Sequence, residues 1–226
     1  HLIHLGQLAL SGAGLLILPR RLIAGSGETP PSEQITRAVI GVGGMGQGHL
    51  GYDLGPLLAI CDVDQGHLNN TLAKLKGQGN AGITGYSDFR ELLDRSDIDA
   101  VLIASPVHWH GVMAVMAAKA GKDIYCEKPT AITIREAQAM KEAVLRYGRV
   151  FQAGTQQRSE YGGKFRRACE LVRNGAIGKL KEIYACRPGG LVEWKRFGKP
   201  KPVPAGLDWD LALGPAPWQA YAGVAH

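Results

Sequence analysis

The sequence of 226 residues contains few cysteines, and none in a pattern that would cross-link the fold or bind a metal. The cysteines Cys61, Cys126, Cys169 and Cys186 are separated by 65, 43 and 17 positions, with no C-x-x-C pair and no Cys/His cluster at zinc spacing. A chain of this length can build its own hydrophobic core without disulfides. We therefore interpret all four as packing residues and expect no metal site.

Charge runs and long apolar stretches are also scarce. The 26 Lys and Arg residues exceed the 20 Asp and Glu residues by six, but they never form a run of five, so we expect no nucleic-acid partner. The uncharged stretch of residues 5–18 is shorter than the ~20 residues that a helix needs to cross a bilayer, so we expect no integral membrane span. Glycine (31) and proline (12) are too few to indicate disorder.

The first 27 residues have features of an export signal. The uncharged stretch has the length of a signal-peptide core, a small-residue cleavage site precedes Gly25, and the following GSGETPPS segment is rich in turn formers. Arg20 and Arg21 follow the apolar stretch, whereas an export signal carries its basic residues before it. We expect a leader over residues 1–27, a linker over 28–35 and a periplasmic or otherwise exported protein. The alternative is a loosely attached N-terminal helix on a cytoplasmic protein.

From Thr36 onward, apolar strands alternate with amphipathic helices. Short, continuous apolar runs typical of buried parallel strands occur at 38–42, 57–61 and 100–104, and two further short strands are predicted at 123–126 and 150–153. Helical segments lie between them: a turn and helix over Gly43–Leu54, and a later helix that starts with a capping box of Thr133 and Glu136. This alternation implies βαβ units. The sequence therefore predicts an α/β fold, with a Rossmann-type doubly wound parallel sheet over residues 36–154.

The pattern changes after Gly154. Phe165, Cys169 and Val172 indicate a helix, and the segment KLKEIYACR (179–187) alternates charged and apolar residues, as a half-exposed antiparallel strand does. We interpret residues 155–226 as an incomplete C-terminal substrate domain, the start of an α+β open-sheet domain.

A glycine-rich turn carries the strongest local signal. Gly41, Gly43 and Gly46 match G-x-G-x-x-G directly after a predicted strand and at the start of a predicted helix. This pattern allows a tight turn, close approach of a pyrophosphate to the backbone, and close helix–strand packing. Asp62 follows Gly41 by 21 residues, at the end of the next strand, where a carboxylate accepts hydrogen bonds from a ribose 2′-hydroxyl. A carboxylate there repels a 2′-phosphate, so we expect NAD, with NADP as the alternative.

Two further strands end in chemically useful residues. Glu127-Lys128-Pro129 follows the strand at 123–126, and ligands in such sheets bind beyond the carboxyl ends of the strands. An ammonium there can polarise a substrate hydroxyl or carbonyl, although an ordinary exposed lysine fits the spacing equally well. His108 and His110 follow the strand at 100–104, and they either contact the nicotinamide ribose or cap the next helix, the structural role being favoured.

These segments together carry a family resemblance. The pieces AVIGVGGMGQGHL, LLAICDVD, YSDFRELL, DAVLIASPVHWH, GKDIYCEKP and FQAGTQQR occur in order between Ile35 and Arg187. In this the sequence resembles the Gfo/Idh/MocA oxidoreductases, the glucose–fructose oxidoreductase and inositol dehydrogenase group. The resemblance implies a Rossmann domain, then an open-sheet domain, and NAD(P)-dependent hydride chemistry on sugars, inositols or related polyols.

The resemblance also implies roles for individual residues. It places Lys128 in the active site as the catalytic residue and Glu127 beside the nicotinamide ribose. We expect cofactor contacts from Gly41, Gly43, Gly44, Met45, Gly46, Asp62, Ser105, Pro106, His110, Glu127, Lys128 and Gln156. We also expect the intact protein to be a homo-oligomer. In the family, an Asp and a His beyond a segment similar to LDWDLALGPAPW complete the acid–base set, so we expect this fragment alone not to turn over substrate.

Three functions remain open at this point. The first is an NAD-dependent dehydrogenase acting on a carbohydrate hydroxyl, with Lys128 assisting proton transfer. The second is a glycosidase or lyase that retains NAD and oxidises its sugar only transiently. The third is a non-enzymatic, cofactor-bound partner subunit.

Overall fold

The computed structural model describes residues 33–52, 55–159, 161–184 and 198–223. Its strands are β1 (Arg37–Ile40), β2 (Leu57–Cys61), β3 (Thr84–Tyr86), β4 (Ala100–Ile103), β5 (Asp123–Glu127) and β6 (Phe151–Gly154). All pair in parallel, in the order β3-β2-β1-β4-β5-β6. The order reverses between β1 and β4, so the sheet is doubly wound and the predicted fold class is confirmed.

The helices follow the strands as the sequence predicts. They are α1 (Gly44–His49), α2 (Gln65–Gly77), α3 (Phe89–Leu93), α4 (Val107–Lys119), α5 (Ile134–Arg146), α6 (Lys164–Arg173) and α7 (Trp209–Leu213), with 3-10 turns at Gln156–Arg158 and Tyr161–Gly163. The capping box of α5 is confirmed, because the Thr133 hydroxyl accepts from the Glu136 N–H and the Glu136 carboxylate accepts from the Thr133 N–H. Within the described ranges, no helix has the length and apolar character needed to span a bilayer.

Side chains of β1 show why the strand is apolar on both faces. Ala38 and Ile40 pack into one core with residues of α3, α4 and α5, whereas Val39 packs into a second core with Leu68 and Leu75 of α2. Burying a large aliphatic side chain stabilises the fold by about 1.5–3 kcal/mol. Helices therefore cover both faces of the sheet at β1, which leaves the carboxyl ends of the strands as the place where ligands bind in such sheets.

The structure differs from the sequence predictions at three places. The segment 179–187 was expected to form an antiparallel strand, but residues 179–184 have no strand structure, and Ile183 and Tyr184 are exposed; the rest lies outside the described residues. An antiparallel strand needs a hydrogen-bonding partner, and none occurs among the described residues. The helix expected to reach Leu54 ends at His49. Strand β3 was missed because Thr-Gly-Tyr is short and not continuously apolar.

The cysteines correct a further expectation. Cys61 and Cys126 are buried at the ends of β2 and β5, as predicted, but Cys169 on α6 is exposed and is not a packing residue. Cys186 lies outside the described residues, as does the expected leader over 1–27. Burial raises the pKa of the Cys126 thiol to about 12 and also raises the pKa of Cys61, so both are neutral thiols at physiological pH.

Candidate cofactor and active site

The predicted site residues gather at one edge of the sheet. Ile40 pairs with Cys61 on one side and with Ile103 on the other, and Ile103 pairs with Cys126. Four strands therefore reach their carboxyl ends at the same level. The loops that follow them carry the glycine turn, Asp62, the Ser105-Pro106 turn and the Glu127-Lys128 turn, around the point where the strand order reverses.

Two glycines of the turn are required by the protein itself. Gly41 has φ +87°, and a Cβ on it would lie 2.7 Å from the Ser105 nitrogen and 2.8 Å from the Ala104 oxygen. A Cβ on Gly46 would lie 1.8 Å from the Gly41 oxygen. The first glycine thus permits the turn beside β4, and the last permits α1 to pack against it, as the motif predicts.

The middle of the turn is bare backbone. Among the residues that the structure describes, a Cβ on Gly43 would meet only the His67 ring, at 3.6 Å, and a Cβ on Gly44 would meet nothing within 4 Å. Gly43 is the N-cap of α1 and has no side chain to cap the first-turn N–H groups, and Met45 in that turn is 52% exposed. Uncapped N–H groups beside an open backbone fit a pyrophosphate. The residues present therefore fit a dinucleotide cofactor.

Asp62 braces the glycine turn. Its Oδ2 accepts a hydrogen bond from the Val42 N–H at 2.9 Å, and its Oδ1 accepts one from the Asp64 N–H at 2.9 Å. His67 Nδ1 lies 3.6 Å from Oδ1. An ionised carboxylate has about four acceptor positions, so Asp62 keeps capacity for a ribose hydroxyl. This carboxylate can hold the turn and meet a ribose at once, whereas sequence spacing indicated only the second role.

His110 joins two of the loops. It is buried in α4, with Nε2 2.7 Å from the Ser105 oxygen and Nδ1 2.7 Å from the Pro129 oxygen. Both ring nitrogens thus contact backbone carbonyl oxygens of the protein. His110 would therefore affect cofactor binding only indirectly, by holding the loops that carry Ser105 and Pro129. Ser105 donates from its hydroxyl to Met113 Sδ at 3.3 Å, and Pro106 is the exposed N-cap of α4. Their cofactor contacts stay predictions.

His108 is also held by the protein. Its Nε2 lies 2.9 Å from the Ala212 oxygen, and the neighbouring Trp109 Nε1–H donates to the Leu211 oxygen at 2.8 Å. These bonds attach α7 to the start of α4. His108 is therefore bound within the protein, but it contacts α7 and does not cap α4 as the structural interpretation expects.

The Glu127 carboxylate is buried and held by three donors. Oε1 contacts His49 Nε2 at 2.8 Å and accepts a hydrogen bond from Gln156 Nε2, and Oε2 accepts from the Lys128 N–H at 3.1 Å. Glu127 is only 4% exposed. Gln156 was expected at the site, but His49 was missed, because it lies 78 residues from Glu127 and no local pattern links them.

Lys128 differs sharply from its neighbour. It is exposed, and its ammonium makes no hydrogen bond or ion pair with any residue that the structure describes. The Lys128–Pro129 peptide bond is cis. The turn thus presents a free cation directly after a buried anion at the carboxyl edge of the sheet.

Comparison with known proteins identifies relatives of this arrangement. Residues 35–155 match the Gfo/Idh/MocA model, described as an oxidoreductase family with an NAD-binding Rossmann fold. A glycosyl hydrolase family 109 protein of Shewanella pealeana is 30% identical over 186 residues, covering 77% of this chain and 40% of that protein. The chain spans less than half the length of the curated relatives it matches.

Solved structures of two inositol dehydrogenases share this fold. Myo-inositol 2-dehydrogenase from Lactobacillus plantarum has a TM-score of 0.55 and 28% identity, over 64% of this chain and 42% of that one. Scyllo-inositol dehydrogenase from Lactobacillus casei, with bound NAD(H) and scyllo-inositol, has a TM-score of 0.55 and 26% identity, over 64% and 42% of the two chains. Fold, glycine turn and family match agree over the same residues. The chain therefore belongs to the Gfo/Idh/MocA oxidoreductase family, with its NAD-binding Rossmann fold.

Proposed function

We propose that the protein containing this chain is an NAD-dependent oxidoreductase that transfers hydride between nicotinamide and a hydroxyl-bearing carbon of a sugar, inositol or related polyol. The observation that carries the proposal is the exposed Lys128 ammonium, which has no partner among the described residues and lies at the same sheet edge as the bare glycine turn. The similarity to two inositol dehydrogenases supports the substrate class.

Each part of the edge has a separate task. When bound, NAD supplies the carbon that accepts or returns the hydride. The glycine turn and the first turn of α1 hold the pyrophosphate, and Asp62 accepts from the adenosine ribose. Glu127, anchored within the protein, accepts from the nicotinamide ribose.

Lys128 handles the substrate proton. During reduction its ammonium donates a proton to the carbonyl oxygen. During oxidation the ammonium first releases a proton to solvent, and the resulting amine accepts the hydroxyl proton as the hydride leaves the same carbon. The side chain is exposed and unpaired within the described residues, so no bond must break before it meets a substrate oxygen.

NAD is the proposed cofactor in preference to NADP. The Asp62 carboxylate is fixed by two backbone N–H groups, so it cannot easily swing away from a 2′-phosphate. The bound NAD(H) in scyllo-inositol dehydrogenase agrees with this preference.

The test is a survey of inositols and sugars with the intact protein and NAD. Accumulation of one NADH per substrate oxidised is the expected result. Failure of every inositol and sugar to reduce bound NAD would contradict the proposal.

A second candidate is a glycosidase or lyase that keeps its NAD bound. The similarity to glycosyl hydrolase family 109 proteins favours it. Such an enzyme would oxidise the sugar, eliminate the leaving group and then reduce the product on the same cofactor. Product release from a glycoside without net NADH would support this candidate over the dehydrogenase.

A further inference from the structure

His49 occupies an unusual place between the two halves of the candidate site. It is the last residue of α1, the helix that begins at the glycine turn, and it is 1% exposed. The rings of Tyr52 and Tyr125 flank it, with centroids at 5.2 and 5.3 Å. Its Nε2 lies 2.8 Å from Glu127 Oε1. One short helix thus connects the phosphate-binding turn to the carboxylate at the end of β5.

The hydrogen bonds assign the proton on the ring. An ionised carboxylate can only accept, so His49 Nε2 donates to Glu127. Nδ1 is buried and has no partner among the described residues. A buried N–H without an acceptor is destabilising, which assigns the lone pair to Nδ1 and the proton to Nε2.

The backbone that carries His49 is anchored separately. The buried Arg37 guanidinium donates to the carbonyl oxygens of His49 at 3.2 Å, Leu50 at 3.2 Å and Tyr52 at 2.8 Å. These bonds satisfy backbone carbonyl oxygens at the C-terminal end of α1 and in the turn that follows it. The end of α1 is therefore held without Glu127, and the imidazole can act as a fixed donor.

The donors divide unequally between the two carboxylate oxygens. Oε1 is engaged by the His49 and Gln156 side chains, whereas Oε2 accepts only the Lys128 N–H among the described residues. Oε2 thus keeps a lone pair for one further donor. Without His49, Gln156 would be the only described residue that holds Oε1, and the orientation of the carboxylate would be less firmly fixed.

We propose that His49 is a positioning residue: its Nε2–H fixes Glu127 Oε1 so that Oε2 stays available to a hydroxyl of the nicotinamide ribose. The inference rests on the proposed function, in which Glu127 contacts that ribose. It adds a residue that does not touch the cofactor but sets the geometry of one that does.

The experiment compares His49→Leu, which removes the donor at similar volume, with His49→Gln, which keeps an N–H donor. NADH affinity is measured by calorimetry on the 226-residue chain. Each His49 variant is compared with wild type, and His49→Leu is also measured in a chain that carries Glu127→Gln. We expect His49→Leu to weaken NADH binding roughly three- to tenfold and His49→Gln less than about twofold. With Glu127→Gln present, His49→Leu should have less than about a twofold further effect.

Two further readouts separate positioning from mere packing. Ile98→Val, in the core just before β4, destabilises the chain and should leave NADH affinity unchanged. In the cofactor-free chain, nitrogen NMR should show His49 protonated at Nε2, with a signal that moves on Glu127→Gln.

Equal NADH affinity of His49→Leu and wild type would overturn the inference and leave the proposed function intact. A loss that Ile98→Val reproduces, or one that persists in full with Glu127→Gln, would also overturn it. If the wild-type chain binds no nicotinamide cofactor, the proposed function fails, and this inference fails with it.

Discussion

Gly46→Ala offers a sharp test of how the glycine turn is built. The new Cβ would lie 1.8 Å from the Gly41 oxygen, whereas ordinary contact begins at 3.4 Å, so α1 or the turn must move by about 1.6 Å. Overpacking of this kind costs about 1–3 kcal/mol, and more where backbone rather than a flexible side chain must shift. Gly48→Ala is the matched control in the same helix, because its Cβ would meet nothing within 4 Å.

The two variants should move stability in opposite directions. Alanine in place of an exposed helical glycine stabilises by about 0.5–1 kcal/mol, so Gly48→Ala should unfold slightly later than wild type. For a chain of this size, each kcal/mol shifts Tm by about 2–4 °C. Chemical and thermal unfolding, followed by circular dichroism, would give both changes. Equal stability of Gly46→Ala and Gly48→Ala would refute the close packing of α1 on Gly41.

Three more predictions concern the site and its surroundings. Asp62→Ala should lower NAD affinity roughly tenfold and reduce the preference for NAD over NADP, because it removes the carboxylate charge and the hydrogen bonds that brace the glycine turn. Calorimetry with both cofactors measures this, and an unchanged ratio of NAD to NADP affinity would contradict it. In the intact protein, Lys128→Met should slow single-turnover hydride transfer by ~10²–10⁴-fold with little change in NAD affinity, and near-normal transfer would remove Lys128 from the mechanism. At pH 8 a thiol reagent should label Cys169 in the folded chain. Cys61 and Cys126 should react only on unfolding, because burial raises the pKa of each thiol and keeps it protonated; peptide mass spectrometry identifies the labelled cysteine.

Local patterns were sufficient to predict most of the sheet. Strands β1, β2 and β4 are mainly apolar runs because both of their faces are largely buried, and that burial is visible in the sequence; β5 and β6 include polar residues and are less completely buried. Strand β3 has three residues, one of them glycine, and only its pairing with β2 makes it a strand. For residues 179–184 the predicted strand is absent for the opposite reason, since their alternation implies a partner strand that does not occur among the described residues.

The candidate site divides in the same way. The glycine turn, Asp62 and the Glu127-Lys128 turn could be predicted because each directly follows a strand, and parallel strands bring such loops together. His49 could not be predicted, because its contact with Glu127 depends on how α1 lies across the end of β5. The bracing role of Asp62 was missed for a similar reason, since sequence spacing does not show that its carboxylate accepts a hydrogen bond from the Val42 N–H.

The proposed function depends on contact between the bare backbone at Gly43 and a nicotinamide dinucleotide. Its most direct test is a calorimetric titration of NAD into the 226-residue chain and into Gly43→Ala. Among the described residues, only the His67 ring lies near the added methyl, at 3.6 Å, so circular dichroism should show a retained fold. We expect saturable binding to the wild-type chain and a loss of at least about tenfold in Gly43→Ala. Equal NAD affinity of the two folded chains, or no binding to either, would contradict the account.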